Sequence, residues 1–252
     1  MSRNKLSSVY RTIEYIGPRP EKPKRPNVFG GWVILILSVG LGFWFGKPLA
    51  QSLKAEQSEP TLEQADILIA ELNSAPKSSR SLAAQALAYS QRPISYDPAY
   101  YKISYPNGDV PYGKGVAADL IVRTFRELGI DLQSAIHEDM KENFRSYPNL
   151  WKAKEPDTNI DHRRVANLQR YFERHAEVLE PSRDFSAYEP GDIVVWSLAD
   201  AEKHIGIIVP GPAERGGEPW VVHHMERGLS WEPALLDYEI ESHFRVSFDE
   251  PQ

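Results

Sequence analysis

The hydropathy pattern is dominated by one uninterrupted apolar run, VFGGWVILILSVGLGFWFG, which covers residues 28–46. It contains no charged side chain, and Trp32, Trp44 and Phe45 stand near its ends. As a helix, such a run approaches the thickness of a bilayer's hydrocarbon core and places the aromatic rings at the interfaces. A signal peptide would have a shorter apolar core, and a buried soluble helix would show a polar face. The pattern therefore predicts one transmembrane helix.

Two shorter patterns follow this run. Residues 47–60 are polar and lack periodicity, which predicts a tether. Residues 61–93 carry apolar side chains three and four positions apart in two stretches, broken at Pro76 and Pro93. We expect two helices there, which either pack against the next domain or hold it away from the membrane.

Residues 94–252 change from helical to strand patterns along the chain. After a Tyr-, Pro- and Gly-rich loop, three helical patterns follow, AADLIVRTFRELGI, DLQSAIHEDMKENFRSY and DHRRVANLQRYFERHAEV, the last opening at Asp161 as a suitable N-cap. Four β-branched runs come next: GDIVVWSL, HIGIIVP, PWVVHHM and HFRVSF. Helices first and an antiparallel meander afterwards indicate an α+β fold.

The charge balance differs on the two sides of the apolar run. Residues 1–27 hold seven basic and two acidic side chains, although the whole chain has a net charge of −6 and a pI near 5.7. The positive-inside rule predicts a cytoplasmic tail at 1–27 and export of the acidic remainder. An acidic balance argues against a general nucleic-acid binder, so no nucleic-acid partner is expected.

The candidate chemistry centres on the start of the helix at Ala117. Papain-type cysteine hydrolases place their nucleophile at the N-terminus of a buried helix, where the helix dipole favours a thiolate. A histidine on a facing strand accepts the proton, and a third polar group orients that ring. Here His204 opens one strand and His223 or His224 lies on the next, so a hairpin between these strands would bring imidazoles together. The chain contains no cysteine.

Several motifs in order carry a family resemblance between about Tyr96 and about Val246. They are DPAYYKISYPNGDVP, GVAADLIVRTFRELGIDLQSAIHEDM, NIDHRRVANLQRYFERH, EPGDIVVWSL, HIGIIV and VVHHMERG. Together they resemble the bacterial family called domain of unknown function 1287 (DUF1287), which is itself similar to the NlpC-like papain-fold cell-wall hydrolases. The resemblance implies helices packed on an antiparallel sheet over residues 94–252, action on peptidoglycan, and no cofactor.

The same resemblance implies roles for individual residues. Where the family reads Gly-Val-Cys-Thr-Asp, this chain has residues 115–119 with Ala117 at the nucleophile position. It further implies His204 as the base and His223 as its orienting group, with His224 where the family usually has Asn. An alanine methyl group neither ionises nor attacks a carbonyl. Because Ala118 also replaces the family's Thr, a natural loss of the nucleophile is favoured over a single engineered Cys→Ala change.

Further polar residues are candidates for contact with a substrate. Asp119 either complements the helix dipole or meets a ligand amine. The cluster of Asp161, His162, Arg163 and Arg164 is either a solvated or salt-bridged surface or a site for ligand carboxylates.

The histidines next to this cluster leave two further questions. Alternation along the strand places His224 on the face opposite His223, exposed or structural, with substrate contact as the alternative. Zinc-motif spacings are absent around His204, the two strand histidines and Asp192, so no metal is expected.

Three functional hypotheses remain open. The first is a single-pass protein of the bacterial inner membrane whose periplasmic domain binds peptidoglycan stem peptides or an envelope protein without cutting. The second is an active stem-peptide hydrolase silenced by a Cys→Ala substitution. The third is a structural subunit of an envelope complex that makes its contact through the transmembrane helix.

Overall fold

The computed structural model describes residues 17, 60–74, 79–148, 150–199, 202–212 and 218–247. The predicted transmembrane helix at 28–46 lies outside the described residues, as do nearly all of the basic tail and the tether. The chain divides into two units, residues 1–57 and 58–252, and the elements below belong to the second. Within the described ranges, none of the helices combines the length and the apolar character needed to cross a bilayer.

Two helices open the second unit, α1 (Leu62–Asn73) and α2 (Ser79–Ser90). Thr61 begins α1 with a capping box, in which its side chain and that of Gln64 each accept a backbone amide. Alanines allow α2 to be buried on several sides. Its apolar side chains join the same core as the sheet and the helix that begins at Ala117. Both helices predicted at 61–93 are thus present and pack into the domain.

An ordered loop connects α2 to the two central helices. Within it, β1 (Ser95–Tyr96) pairs in parallel with β2 (Lys114–Gly115). The next helix, α3 (Ala117–Glu127), is followed by Gly129, whose φ of 87° is the left-handed conformation that favours glycine after a helix. α4 (Leu132–Asn143) then begins after Asp131, which accepts the amide of Gln133.

The last helix, α5 (Val165–His175), starts later than the sequence predicted. Asp161 is not its N-cap, because Asp161–Arg163 form a short 3-10 turn and Arg164 occupies the cap position without a side-chain bond. The Asp161 carboxylate is buried and accepts the amide of Asp157 in the preceding loop. The side chain therefore stabilises the loop, and the helix begins only after the turn.

A six-stranded sheet forms the second half of the domain. Its strands are β3 (Glu177–Leu179), β4 (Ile193–Ser197), β5 (Lys203–Pro210), β6 (Pro219–Met225), β7 (Gly228–Glu232) and β8 (Glu239–Arg245). Their order is β3-β8-β4-β5-β6-β7, and all neighbours are antiparallel. The predicted α+β class and antiparallel meander are confirmed.

Both faces of the central strands are buried, which explains their continuous runs of β-branched residues. One face packs against the helices, with Ile193, Val195, Ile205, Ile207 and Val222 in the main core. The other face carries a smaller core, which includes Val194, Trp196, Ile208, Val221 and Leu235. The sheet is thus a rigid support for the side chains at its ends.

Candidate functional site

A groove of about 1000 Å³ lies where the N-terminus of α3 meets the start of β5 and the end of β6. Ala117, the first residue of α3, lines it together with His204 of β5 and His224 of β6. Tyr100, Leu150, Trp151 and Arg164 belong to segments that line the groove away from the sheet. The structure therefore places Ala117 and His204, which the sequence predicts as nucleophile position and base, on the lining of one cavity.

The N-terminus of α3 is fixed by a buried ion pair. Asp119 accepts the amide of Val116 at 2.8 Å, which closes the first turn. Arg163 donates to both oxygens of Asp119, at 2.8 and 3.0 Å, and to the carbonyls of Ala99 and Asp97. Because these donors are occupied, Arg163 supports the wall of the groove and Asp119 serves the helix end rather than a ligand.

His204 is the first member of a hydrogen-bonded chain of three side chains. Its Nε2 lies 2.9 Å from Nδ1 of His223, and Nε2 of His223 lies 2.7 Å from Oε1 of Glu232. Arg227 also contacts this carboxylate. Strands β5, β6 and β7 are neighbours in the sheet, and the indole of Trp196 stacks on the His204 ring at 5.7 Å between centroids. The rings are thus held by the sheet itself.

The acceptor at the end of this chain fixes the proton positions. An ionised carboxylate only accepts hydrogen bonds, so Nε2 of His223 carries a proton and donates it to Glu232. In a neutral ring, Nδ1 of His223 is then an acceptor, and Nε2 of His204 must donate to it. The lone pair of His204 is left on Nδ1, the tautomer required of a base.

The electrostatics of the chain favour this neutral arrangement. Burial, reinforced by the neighbouring His223, lowers the pKa of His204 to about 3. The hydrogen bond from His223 is the main cause that lowers the pKa of Glu232. At neutral pH the site therefore contains a carboxylate and a neutral His204, whose protonation is opposed by burial.

His224, which was expected to be exposed or structural, is buried. It is only 1% exposed, and its ring meets that of Tyr96 edge-on at 5.8 Å. Neither of its ring nitrogens has a hydrogen-bond partner among the described residues, and burial lowers its pKa. The loop that carries Tyr96 covers this end of β6.

The remaining candidates divide between the groove and the interior. Asp161 and His162 are buried and do not line the groove, and burial lowers the pKa of His162 to about 4. Arg164 does line it, and its guanidinium lies 4.0 Å from the centre of the Trp151 ring. Of the predicted arginine pair, Arg164 alone is placed to meet a ligand.

Within the described ranges, no group of three or more His, Asp or Glu side chains has the arrangement needed to hold a metal ion. Asp192, which we considered together with the site histidines, instead accepts hydrogen bonds from His243 and Arg245.

Glu232 was missed from the sequence. The register of the β6–β7 hairpin places Ser230 opposite His223, so Glu232, two residues further on, lies on the same face as that ring. Once β7 is known, this alternation is the signal that identifies Glu232 as a partner of His223.

Comparison with known proteins places this site in a family. The chain is 45% identical over 152 residues to "Uncharacterized protein YijF" of Escherichia coli (strain K12), which covers 60% of this chain and 74% of that protein. Residues 83–246 match the family model described as "Domain of unknown function (DUF1287)". This range includes Ala117 and the hydrogen-bonded side chains of His204, His223 and Glu232, here called the relay. The chain therefore belongs to the DUF1287 family.

Proposed function

We propose that this protein is a pseudoenzyme of the papain-like, NlpC-like cell-wall hydrolase type, which binds peptidoglycan stem peptides or a partner protein without cutting them. The observation that carries the proposal is the shared groove of Ala117 and His204. Ala117, the first residue of α3, and the buried His204 at the start of β5 both line this cavity, and the side chain at the proposed nucleophile position is a methyl group.

The location proposed for this domain is the periplasm. The apolar run at 28–46 would anchor it in the bacterial inner membrane, with the basic residues 1–27 in the cytoplasm. Alkaline phosphatase fused after residue 252 should be active in intact cells, because that reporter requires export. Activity only from a cytoplasmic reporter at the same position would contradict this orientation.

Binding of wall fragments is the direct test of the proposed function. The full chain, purified in detergent because of its apolar run, is titrated with soluble muropeptides in a calorimeter. Saturable binding supports a peptidoglycan-binding function. Failure of every muropeptide to bind overturns it and leaves a partner protein as the occupant of the groove.

The intact relay favours a second candidate function, stem-peptide hydrolysis. His204, His223 and Glu232 keep a complete proton-accepting chain, and only the nucleophile is missing. An Ala117→Cys variant would place a thiol at the helix N-terminus, where the dipole promotes the thiolate, with His204 as the proposed acceptor of its proton.

The two functions are separated by restoring the thiol. Ala117→Cys is incubated with isolated sacculi, and released fragments are identified by mass spectrometry. Ala117→Ser and Ala117→Cys/His204→Gln serve as matched controls. Cleavage by Ala117→Cys but by neither control supports the hydrolase function. If the protein binds muropeptides and Ala117→Cys does not cleave sacculi, the pseudoenzyme is supported.

A further inference from the structure

A distinct part of the groove lies away from the histidine relay. Trp151 is 45% exposed, Leu150 66% and Tyr100 56%, although these are large apolar side chains. All three line the groove. Exposed apolar side chains gathered at one cavity mark a surface that a ligand covers. This wall therefore favours contact with a ligand that has an apolar or planar part.

The cation on this wall is Arg164. Its guanidinium lies 4.0 Å from the centroid of the Trp151 ring, a cation–π contact that holds the planar group in place. Its ion pair with Asp161 is long, 3.8 Å from Nη1 to Oδ1, and the Arg164 side chain keeps 20% of its surface exposed. Arg164 is thus positioned by stacking and is only weakly engaged by an acid.

The neighbouring charges leave Arg164 incompletely compensated. Burial lowers the pKa of Arg164 even though both Asp161 and Asp157 oppose the change. Burial also raises the pKa of Asp161, which weakens it as a counter-ion. An external anion with two oxygens in one plane would match the guanidinium fork and balance its charge.

Arg163, the neighbouring arginine, shows the contrasting case. Its guanidinium is bound by both oxygens of Asp119 and by two backbone carbonyls. The two adjacent arginines therefore have different roles: Arg163 holds the end of α3, and Arg164 lines the groove stacked on Trp151.

We propose that Trp151 and Arg164 form a carboxylate-binding subsite that fixes one end of a peptide lying in the groove. The guanidinium donates two hydrogen bonds to the carboxylate, and the apolar wall contacts the residue that carries it. This subsite rests on the proposed peptide-binding function, and it specifies which chemical group of the peptide is recognised.

The test compares two synthetic peptides, Ala-γ-Glu-Lys-Ala-Ala and an analogue with carboxamides in place of its carboxylates. Each is titrated calorimetrically into the full chain in detergent, and into Arg164→Gln, Arg164→Lys and Arg183→Gln. Arg164→Gln should bind the carboxylate peptide about tenfold more weakly, while its binding of the amide peptide is unchanged. Arg164→Lys should be intermediate, because it keeps the charge without the planar fork.

The controls separate the subsite from folding and from net charge. The Arg164 side chain makes no cap hydrogen bond at the start of α5, so its replacement leaves the helix end intact. Arg183 is exposed and does not line the groove, so Arg183→Gln removes the same charge elsewhere and should bind both peptides like the wild type. Inorganic phosphate at equal concentration should not displace the carboxylate peptide.

Two unfavourable outcomes are distinguishable. Equal affinity of the wild type for the two peptides, unchanged affinity in Arg164→Gln, or displacement by phosphate would overturn the subsite while leaving peptide binding in place. Absence of binding of either peptide to the wild type would overturn the proposed function, and the subsite with it.

Discussion

Two buried clusters in this domain use the same residue types in different ways. The relay at the groove joins His204, His223 and Glu232, with Arg227 on the carboxylate. At the start of β4 and the end of β8, Asp192 accepts a hydrogen bond from Nε2 of His243 at 2.7 Å, and Arg245 donates to both of its oxygens at 2.8 Å. Each cluster therefore contains imidazole, carboxylate and guanidinium.

The difference lies in where each set of bonds ends. Asp192 is fully buried, also accepts the amide of Glu189, and lies beside a His243 ring that stacks on Tyr188 at 4.4 Å. The relay instead ends in a partly exposed carboxylate on one side and in the groove on the other. The cluster of Asp192, His243 and Arg245, centred on a fully buried carboxylate and here called the closed cluster, stabilises the fold. The relay, here called the open cluster, is next to the groove, where its His204 can meet a ligand.

The largest expected effect is on the closed cluster. Asp192→Asn removes the buried carboxylate that accepts from His243 and Arg245, while Arg245 keeps its ion pair with the exposed Glu189, so we expect the free energy of unfolding to fall by about 3 kcal/mol. Urea unfolding followed by circular dichroism measures it. The exposed Asp237 provides a matched control, because Asp237→Asn should change stability by less than about 0.5 kcal/mol. A loss below about 1 kcal/mol in Asp192→Asn would show that this cluster contributes little to the stability of the fold.

The matching substitution in the relay should be milder but more informative. Glu232→Gln keeps a hydrogen-bonding group and a partly solvated position, so we expect a loss of about 1–2 kcal/mol. An amide can donate as well as accept, so the tautomers of His223 and His204 are no longer fixed. Imidazole nitrogen NMR should show Nε2-protonated rings in the wild type and a mixture in the variant. Identical tautomers in the two proteins would refute the assigned proton order.

Lowering the pH should affect the buried histidines His204 and His162 before it affects Asp192. Burial lowers the pKa of His204 to about 3 and that of His162 to about 4, against 6.5 for the free ring. Between these values the unfolded chain binds protons that the folded chain does not, so stability is complete above pH 6.5 and falls as the pH decreases. Asp192, whose pKa is held down by Arg245 and His243 against the effect of burial, stays charged over the upper part of this range.

The expected slope is about 1.4 kcal/mol per pH unit for each buried ring. Urea unfolding at several values between pH 6.5 and 5 measures it, and His204→Gln should remove the contribution of one ring. An unchanged slope in His204→Gln would show that His204 binds its proton equally well in the folded protein.

Much of the fold could be predicted because its signals are local. The helix before Gly129 and the strands β4, β5 and β6 follow from periodicity and β-branched runs in the sequence. The predicted fourth run, residues 243–248, overlaps β8 only at 243–245. The error at Asp161 arose because a capping residue type was used by the preceding loop instead. β7 was missed because its five residues follow the previous strand after a very short turn and contain few β-branched side chains.

The sequence predicted those residues of the candidate site that lie in a recognisable motif. His204 and His223 follow from their motif, and the register of β5 and β6 then brings them together. Glu232 depends on the register of a strand that the pattern did not reveal, and the burial of His224 depends on a distant loop that carries Tyr96. Such tertiary contacts are not encoded in the pattern of any single segment.

The smallest expected effect concerns the exposed end of the relay. Arg227 pairs with Glu232 but keeps 57% of its side-chain surface exposed, so solvent and salt screen the interaction. Arg227→Gln should lower the free energy of unfolding by no more than about 1 kcal/mol, and the difference should shrink in high salt. Arg245→Gln, whose partner Asp192 is fully buried, should lose more than Arg227→Gln at every salt concentration. Equal losses in the two variants would mean that burial of the carboxylate does not distinguish the two clusters. The difference between them would then depend only on whether the cluster borders the groove.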